Sequence, residues 1–199
     1  CVLVPGQAEQ LPFHNLSSVT SDDIQAATMA IDHLVALGHK KIVVVGGNRS
    51  YSDITMERYQ GCLQAFYRNG IAFQEERDYE TARYTFEDAY RAAAALVQRN
   101  NGFTALFAMS DVMAVGKAVD AAQEQLSAIR ALRDLGKRVP EDVSVVGVDG
   151  LSLGEYTIPR LSTVAQPVRE LADRSVDLLL QGISRKQSGH ITVPVTLLN

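Results

Sequence analysis

The sequence predicts an α/β fold, a parallel sheet with helices on both faces. Two observations carry that prediction. Apolar runs of strand length recur with little polar alternation, as expected of strands buried on both faces. Between them lie segments with apolar residues three and four apart, the period of a helix that packs by one face. Strands alternating with helices make βαβ units, and those units make a mainly parallel sheet.

The strand-length runs are CVLV (1–4), KIVVVGG (41–47), TALFAM (104–109), VSVVGVDG (143–150) and ITVPVTLL (191–198), all rich in Val and Ile. The first helical period lies in SDDIQAATMAIDHLVALGHKK, where Ile24, Ala27, Ile31, Leu34 and Leu37 mark one face. Ser21 and Asp22 give that helix a polar start, and Gly38 gives it a stop. ITMERYQGCLQAFYRNG and TFEDAYRAAAALVQRNNG repeat the design and close on Asn-Gly or Asn-Asn-Gly. In PVRELADRSVDLLLQG, Pro167 suits a helix start and Gly182 a helix end.

The composition, 46% apolar and 21% charged over 199 residues, is that of an ordinary globular chain. A net charge of −4 with scattered Lys and Arg argues against a surface that itself grips nucleic acid. No run approaches the ~18 apolar residues of a membrane span. CVLVPG lacks the basic leader of a signal peptide, so a cytoplasmic location and no membrane partner are expected. Cys1 and Cys62 match no metal or redox spacing and are expected to be small buried hydrophobes. Neither a metal nor a cofactor is expected.

Ligands of such folds sit beyond the carboxyl ends of the strands. Three such ends stand out: VVVGGNRSYSD, LFAMSDVMAVG and VVGVDGLSLGEY. They offer Asn48, Arg49, Ser50, Ser52, Asp53, Ser110, Asp111, Asp149, Ser152 and Glu155, with Arg58 on the helix that follows the first. Hydroxyls, amides and carboxylates in this mix suit a polyhydroxylated or amide-bearing small molecule. Gly46-Gly47 is expected to let the chain turn sharply beside that cleft rather than to cradle a phosphate. No G-x-S-x-G, Walker, H-E-x-x-H or kinase motif appears, and the four histidines are dispersed. An enzyme is therefore not expected.

The segments AIDHLVALGHKKIVVVGG, RYQGCLQAF, TALFAMSDVMAVG, AIRALRDLGKRVPEDVSVVGVDG and IPRLSTVAQPVRELADRSVDLLL stand in this order over about 160 residues. Together they resemble the effector-binding core of the LacI/GalR (lactose-repressor) family. The resemblance implies a periplasmic-binding-protein-like fold: two flavodoxin-like lobes, three crossovers, and a ligand between the lobes. It also implies a transcriptional repressor whose helix-turn-helix, outside this sequence, binds DNA. The effector it implies is sugar-like. Carried over by motif, Arg58 grips the effector, Asp149 accepts from its hydroxyls, and Ser110 and Gln166 face the cleft. Ser50, Ser52 and Asp53 lie in a loop that varies with the effector, and Asp111 is a structural cap for the helix starting at Val112. Arg58 could instead simply pair with Asp53 or Glu57.

The sequence departs from that family in three ways. The DNA-binding helices and most of the N-terminal lobe are absent, as is an aspartate the family carries near Pro5 and Gly6. The expected division is therefore 1–20 as a remnant of that lobe and 21–164 as the effector-binding lobe. Residues 165–189 would be a crossover and returning helix, and 190–199 a final strand of the effector-binding lobe. KAVDAAQEQLS (117–127) is extra, and its 11 residues nearly keep helix phase. Val115, Val119, Ala122, Leu126 and Ile129 continue an apolar stripe, which predicts one helix from about Val112 to Leu135. Gly150 stands where a second acidic residue is frequent. A homodimer is expected, because Val2, Leu3, Val4, Leu171, Val176, Leu178, Leu179 and Leu180 would otherwise form an exposed apolar patch. A transporter's sugar-binding protein, or a lobe that has lost its ligand, are the alternatives.

Overall fold

The computed structural model describes residues 1–4, 16–100, 102–115, 127–185 and 188–199. Two sheets organise the chain. The smaller holds three parallel strands, β1 (Val2–Leu3), β2 (Ser17–Ser21) and β8 (His190–Val193), in the order β1-β2-β8. The larger holds β3 (Ile42–Gly46), β4 (Tyr79–Thr81), β5 (Ala105–Ala108), β6 (Ser144–Asp149), β7 (Ser162–Ala165) and β9 (Thr196–Leu198). Its order is β4-β3-β5-β6-β7-β9, and only β9 runs antiparallel to its neighbour.

Helix α1 (Asp23–Ala36) is capped by Asp22, whose side chain accepts from the Gln25 amide, and ends before Gly38 at φ 93°. Helix α2 (Asp53–Arg68) links β3 to β4, and the short α3 (Glu75–Asp78) leads into β4. Helix α4 (Phe86–Arg99) then carries the chain back past β3 to β5. The reversal of direction places α2 and α4 on opposite faces. α1 packs on α2, while α4 packs on α5 (Asp111–Val115) and α6 (Ala128–Asp134). The strands between them form the core; Val43, Val44, Val45, Leu106 and Phe107 are inaccessible to solvent.

A second, smaller core joins the small sheet to α7 (Val168–Arg185) through Val19, Val193, Leu171 and Leu178. Three segments cross between the sheets: β2 into α1, β7 into α7, and β8 into β9. Two of them are stitched together, the Asp22 amide donating to the Val193 carbonyl (3.0 Å) and the Val195 amide to Gln25 Oε1 (3.2 Å).

Several sequence expectations change. Residues 190–199 are not one strand of the larger lobe: they divide at Pro194, β8 joining the small sheet and β9 the large one. The single helix from Val112 to Leu135 does not form. Ser127 is extended (φ −166°, ψ 173°) and its hydroxyl caps a separate α6 by accepting from the Arg130 amide. Val119, Ala122 and Leu126 lie outside the described residues, as do Pro5 and Gly6. Gly182 falls inside α7, which continues to Arg185. Cys62 is buried but Cys1 is exposed. Leu171 and Leu178 are buried against the small sheet rather than part of an exposed patch. Among the described residues, no helix is long and apolar enough to cross a membrane.

Candidate functional site

Parallel pairing brings the ends of β3, β5, β6 and β7 to one edge of the large sheet. The chain winds one way from β3 to β4 and the other way from β4 to β5, so β3 and β5 flank a topological switch point, where such folds open a crevice. Met109 and Ser110 follow β5, Asp149 closes β6, Gln166 follows β7, and Arg58 projects from the second turn of α2.

Arg58 is 3% exposed and occupied on three sides. Its Nε donates to Asp23 Oδ1 (2.7 Å), its Nη1 to the Met109 carbonyl, and its Nη2 to Asp149 Oδ1 (3.3 Å). It pairs with neither Asp53 nor Glu57. A guanidinium suits this position because its planar fork satisfies several acceptors at once. Burial works to lower its pKa, but the carboxylates of Asp23 and Asp149 outweigh this and hold it above the usual arginine value. For Asp23 the balance differs: burial pushes its carboxyl up despite the adjacent Arg58.

Asp149 is the exchange point of the cluster. Oδ2 accepts from Ser110 Oγ (2.7 Å), and Oδ1 accepts from Gln166 Nε2 (2.8 Å) as well as from Arg58. Its side chain remains 21% exposed. Its backbone sits at φ 125°, a region L-residues rarely adopt. Such conformations persist where the surroundings over-determine them, and they gather at ligand sites. Gln166 adds a main-chain link, donating its amide to the Asp149 carbonyl (3.3 Å).

Asp111 explains how that backbone is held. It is fully buried; Oδ1 accepts from Thr163 Oγ1 (2.6 Å) and Oδ2 from the Leu151 amide (2.8 Å). Thr163 Oγ1 in turn accepts from the Gly150 amide (3.3 Å). The carboxylate therefore fixes the loop after Asp149. Gly147 makes room for it, since a Cβ there would overlap Asp111 Oδ1. Burial pushes Asp111 up to about 6, against the hydrogen bonds that favour its charged form. The expected role as a helix cap is corrected: Ser110 Oγ accepts from the Val112 amide (3.3 Å), while Asp111 begins α5 and reaches across to the loop.

Of the residues expected from sequence, Arg58, Asp149, Ser110 and Gln166 meet in one cluster. Ser50, Ser52 and Asp53 do not join it. Ser52 caps α2 by accepting from the Thr55 amide (3.2 Å), the Ser50 amide donates to Asn48 Oδ1 (2.9 Å), and Asp53 is an exposed first-turn residue. Arg49 is tied back by Glu75, and its guanidinium lies 4.1 Å from the Tyr59 ring centroid. Gly46 and Gly47 have no positive φ, and the turn after β3 closes at residues 48–51, where the Tyr51 amide donates to the Asn48 carbonyl (3.2 Å). A Cβ on Gly47 would crowd Thr55 and Tyr84, and one on Gly46 would crowd Met109 and Tyr79.

Three groups were not anticipated. Asp23 anchors Arg58; its signal was the acidic pair at 22–23, of which only Asp22 is needed as a cap. Tyr84, partly exposed, shares a hydrogen bond with Thr55 Oγ1 (2.9 Å), one turn before Arg58 on α2. The Met109 carbonyl carries no side-chain signal. Among the described residues no cluster of His, Cys, Asp and Glu could hold a metal.

A profile of the periplasmic binding protein-like domain matches residues 31–199. The HTH-type transcriptional regulator MalR of Streptomyces coelicolor is 34% identical over 198 residues, 95% of this chain and 51% of MalR. The structure of a transcriptional regulator CelR–cellobiose complex superposes with a TM-score of 0.85 at 27% identity, covering 98% of this chain and 56% of that one. A LacI family regulator from Enterococcus faecium with bound ribose gives 0.80 at 27% identity, covering 96% and 66%. The chain spans about half the length of the curated relatives it matches. The match across residues 31–199, with an architecture shared with these regulators, establishes that the chain belongs to the periplasmic binding protein-like domain family, as the effector-domain type found in LacI-family transcriptional regulators.

Proposed function

We propose that this chain is the effector-sensing part of a cytoplasmic transcriptional repressor that binds a sugar or sugar derivative. Binding to DNA would then belong to a helix-turn-helix outside these residues. The observation that carries the proposal is the meeting of Ser110, Asp149 and Gln166 over a buried Arg58, where two of the crossovers leave the large sheet. A carboxylate already accepting from a hydroxyl and an amide is suited to accept from ligand hydroxyls in their place. Tyr84, bonded to Thr55 one turn before Arg58 on α2, offers an exposed ring for the apolar face of a sugar. The cellobiose and ribose held by the two solved relatives support this ligand class.

Signalling follows from the connections. Gln166 lies on the β7-to-α7 crossover and Asp23 at the end of the β2-to-α1 crossover, so both report to the small sheet. A ligand that displaces the Gln166 amide from Asp149 changes what holds that crossover. It shifts the angle between the sheets to the extent that it binds one arrangement better than the other.

A thermal-shift screen against neutral sugars, sugar phosphates and nucleosides tests the reading. A ligand at 100 times its dissociation constant adds about 2.7 kcal/mol of stability. The expected result is a hit that Asp149→Ala and Ser110→Ala each abolish or weaken. A hit insensitive to both variants, or no hit at millimolar ligand, would overturn it.

A further inference from the structure

The sensor reading leaves the charge of the ligand open, and the geometry of Arg58 bears on it directly. Arg58 is the only buried Lys or Arg among the described residues. Asp23, the Met109 carbonyl and Asp149 occupy its three nitrogens, and its side chain is 3% exposed. An incoming anion reaches it only by separating a buried ion pair. The more accessible charged member of the trio is Asp149, at 21%. Its two other partners, Ser110 and Gln166, are uncharged.

The charges of the trio sum to −1: one guanidinium against two carboxylates. Further carboxylates lie at the starts of the same two helices. Asp22 caps α1, Asp53 opens α2, and Glu57 precedes Arg58. Burial, followed by the charges of Asp23, Asp22 and Asp53, pushes the Glu57 carboxyl upward. Arg49, the cation on the loop after β3, is held by Glu75 and stacked on Tyr59. The site thus has hydrogen-bond acceptors of negative charge and a cation already neutralised within the chain.

We infer that the site takes a ligand with no anionic group at the Asp149 end: a neutral or amine-bearing polyol rather than a phosphorylated sugar or a uronate. The inference rests on the sensor reading and narrows its ligand class. Asp149 accepts from hydroxyl or ammonium donors, whereas a phosphate or carboxylate there meets like charge in a partly desolvated site. Asp23 acts as a specificity residue without touching the ligand, because it keeps Arg58 from serving as an anion receptor.

The test is calorimetric titration of the chain with matched ligands: glucose against glucosamine, glucose phosphate and glucuronate, and ribose against ribose phosphate. Wherever a member of a set binds, the neutral or amine form is expected to bind at least about tenfold tighter than the anionic one. Asp23→Asn keeps the acceptor for Arg58 but removes one negative charge, so that ratio should fall several-fold. Glu57→Gln, on the same helix as Arg58, should lower it more mildly and serves if Asp23→Asn does not fold. An anionic member binding as tightly as its neutral counterpart overturns the inference while leaving the sensor reading intact. Binding by no member removes the sensor reading, and the inference with it.

Discussion

Arg58 holds two carboxylates and a main-chain carbonyl at once, so its removal leaves Asp23 buried beside Asp149 with no countercharge. Breaking a buried pair by deleting one partner costs about 3–5 kcal/mol, mostly from the charge left behind. Arg58→Ala is expected to lose that much in urea unfolding. Arg58→Lys should lose less, because it keeps the charge but lacks the fork that reaches three acceptors. Equal losses in the two variants would mean that countercharge contributes nothing here. Asp111 makes a different kind of prediction. Its carboxyl rises from 3.8 to about 6 on folding, chiefly through burial. Between those values the folded chain holds a proton that the unfolded chain has released, so the contribution of Asp111 to stability falls as pH rises from about 4 to about 6, by about 3 kcal/mol at most, and is flat above. Asp111→Asn lacks this slope. The stability of the native chain minus that of Asp111→Asn, measured by chemical unfolding across this range, should therefore decline with pH. A flat difference would place the pKa of Asp111 near its ordinary value.

Ser127 governs an element boundary. Its extended backbone and hydroxyl begin α6, although the apolar stripe on either side continues a helical period. Ser127→Ala should cost about 1 kcal/mol, the usual worth of an N-cap hydroxyl, with a matching fall in unfolding midpoint. No loss would mean that packing alone starts α6. The case illustrates which elements the sequence made legible. β3, β5 and β6 were plain because both faces are buried and Val, Leu, Ile and Phe fill them. β2 was not: SSVTS is mostly hydroxylated, yet Ser17, Ser18 and Ser21 are buried. Their hydroxyls are satisfied by the Gly189 amide, His190 Nδ1 and Asp23 Oδ2, partners distant in sequence or visible only once folded. β4 is three residues long, too short for any period to register. In the site, Ser110, Asp149 and Arg58 stood at or after strand ends, while Gln166 was reached only through a family resemblance. Asp23 was hidden because one acidic residue at a helix start already explains itself as a cap. Ser52 shows that a hydroxyl near a strand end also serves as a helix cap.

At the scale of the whole molecule, the outer face of α7 remains to be explained. Leu171 and Leu178 face the small sheet and are buried by this chain alone, so they leave the apolar patch from which a homodimer was expected. On the opposite side, Val168, Val176, Leu179, Leu180 and Ile183 are 44–72% exposed and fall along one stripe of the helix. Eighteen residues at 1.5 Å per residue make a stripe about 27 Å long; at a width of about 10 Å it presents roughly 300 Å², well under the ~800 Å² per partner of a standard interface. Pairing of two such stripes would be weak and concentration-dependent rather than obligate. Light scattering is expected to find monomer at low micromolar concentration and a rising share of dimer toward about 100 μM. Ile183→Lys with Leu180→Lys places four like charges across a two-fold contact and should hold the chain monomeric throughout. Their exposure means that unfolding stability should change by no more than about 0.5 kcal/mol. A dimer that survives both substitutions would place the contact elsewhere on the molecule, and a monomer at every concentration would mean that this face does not associate with itself.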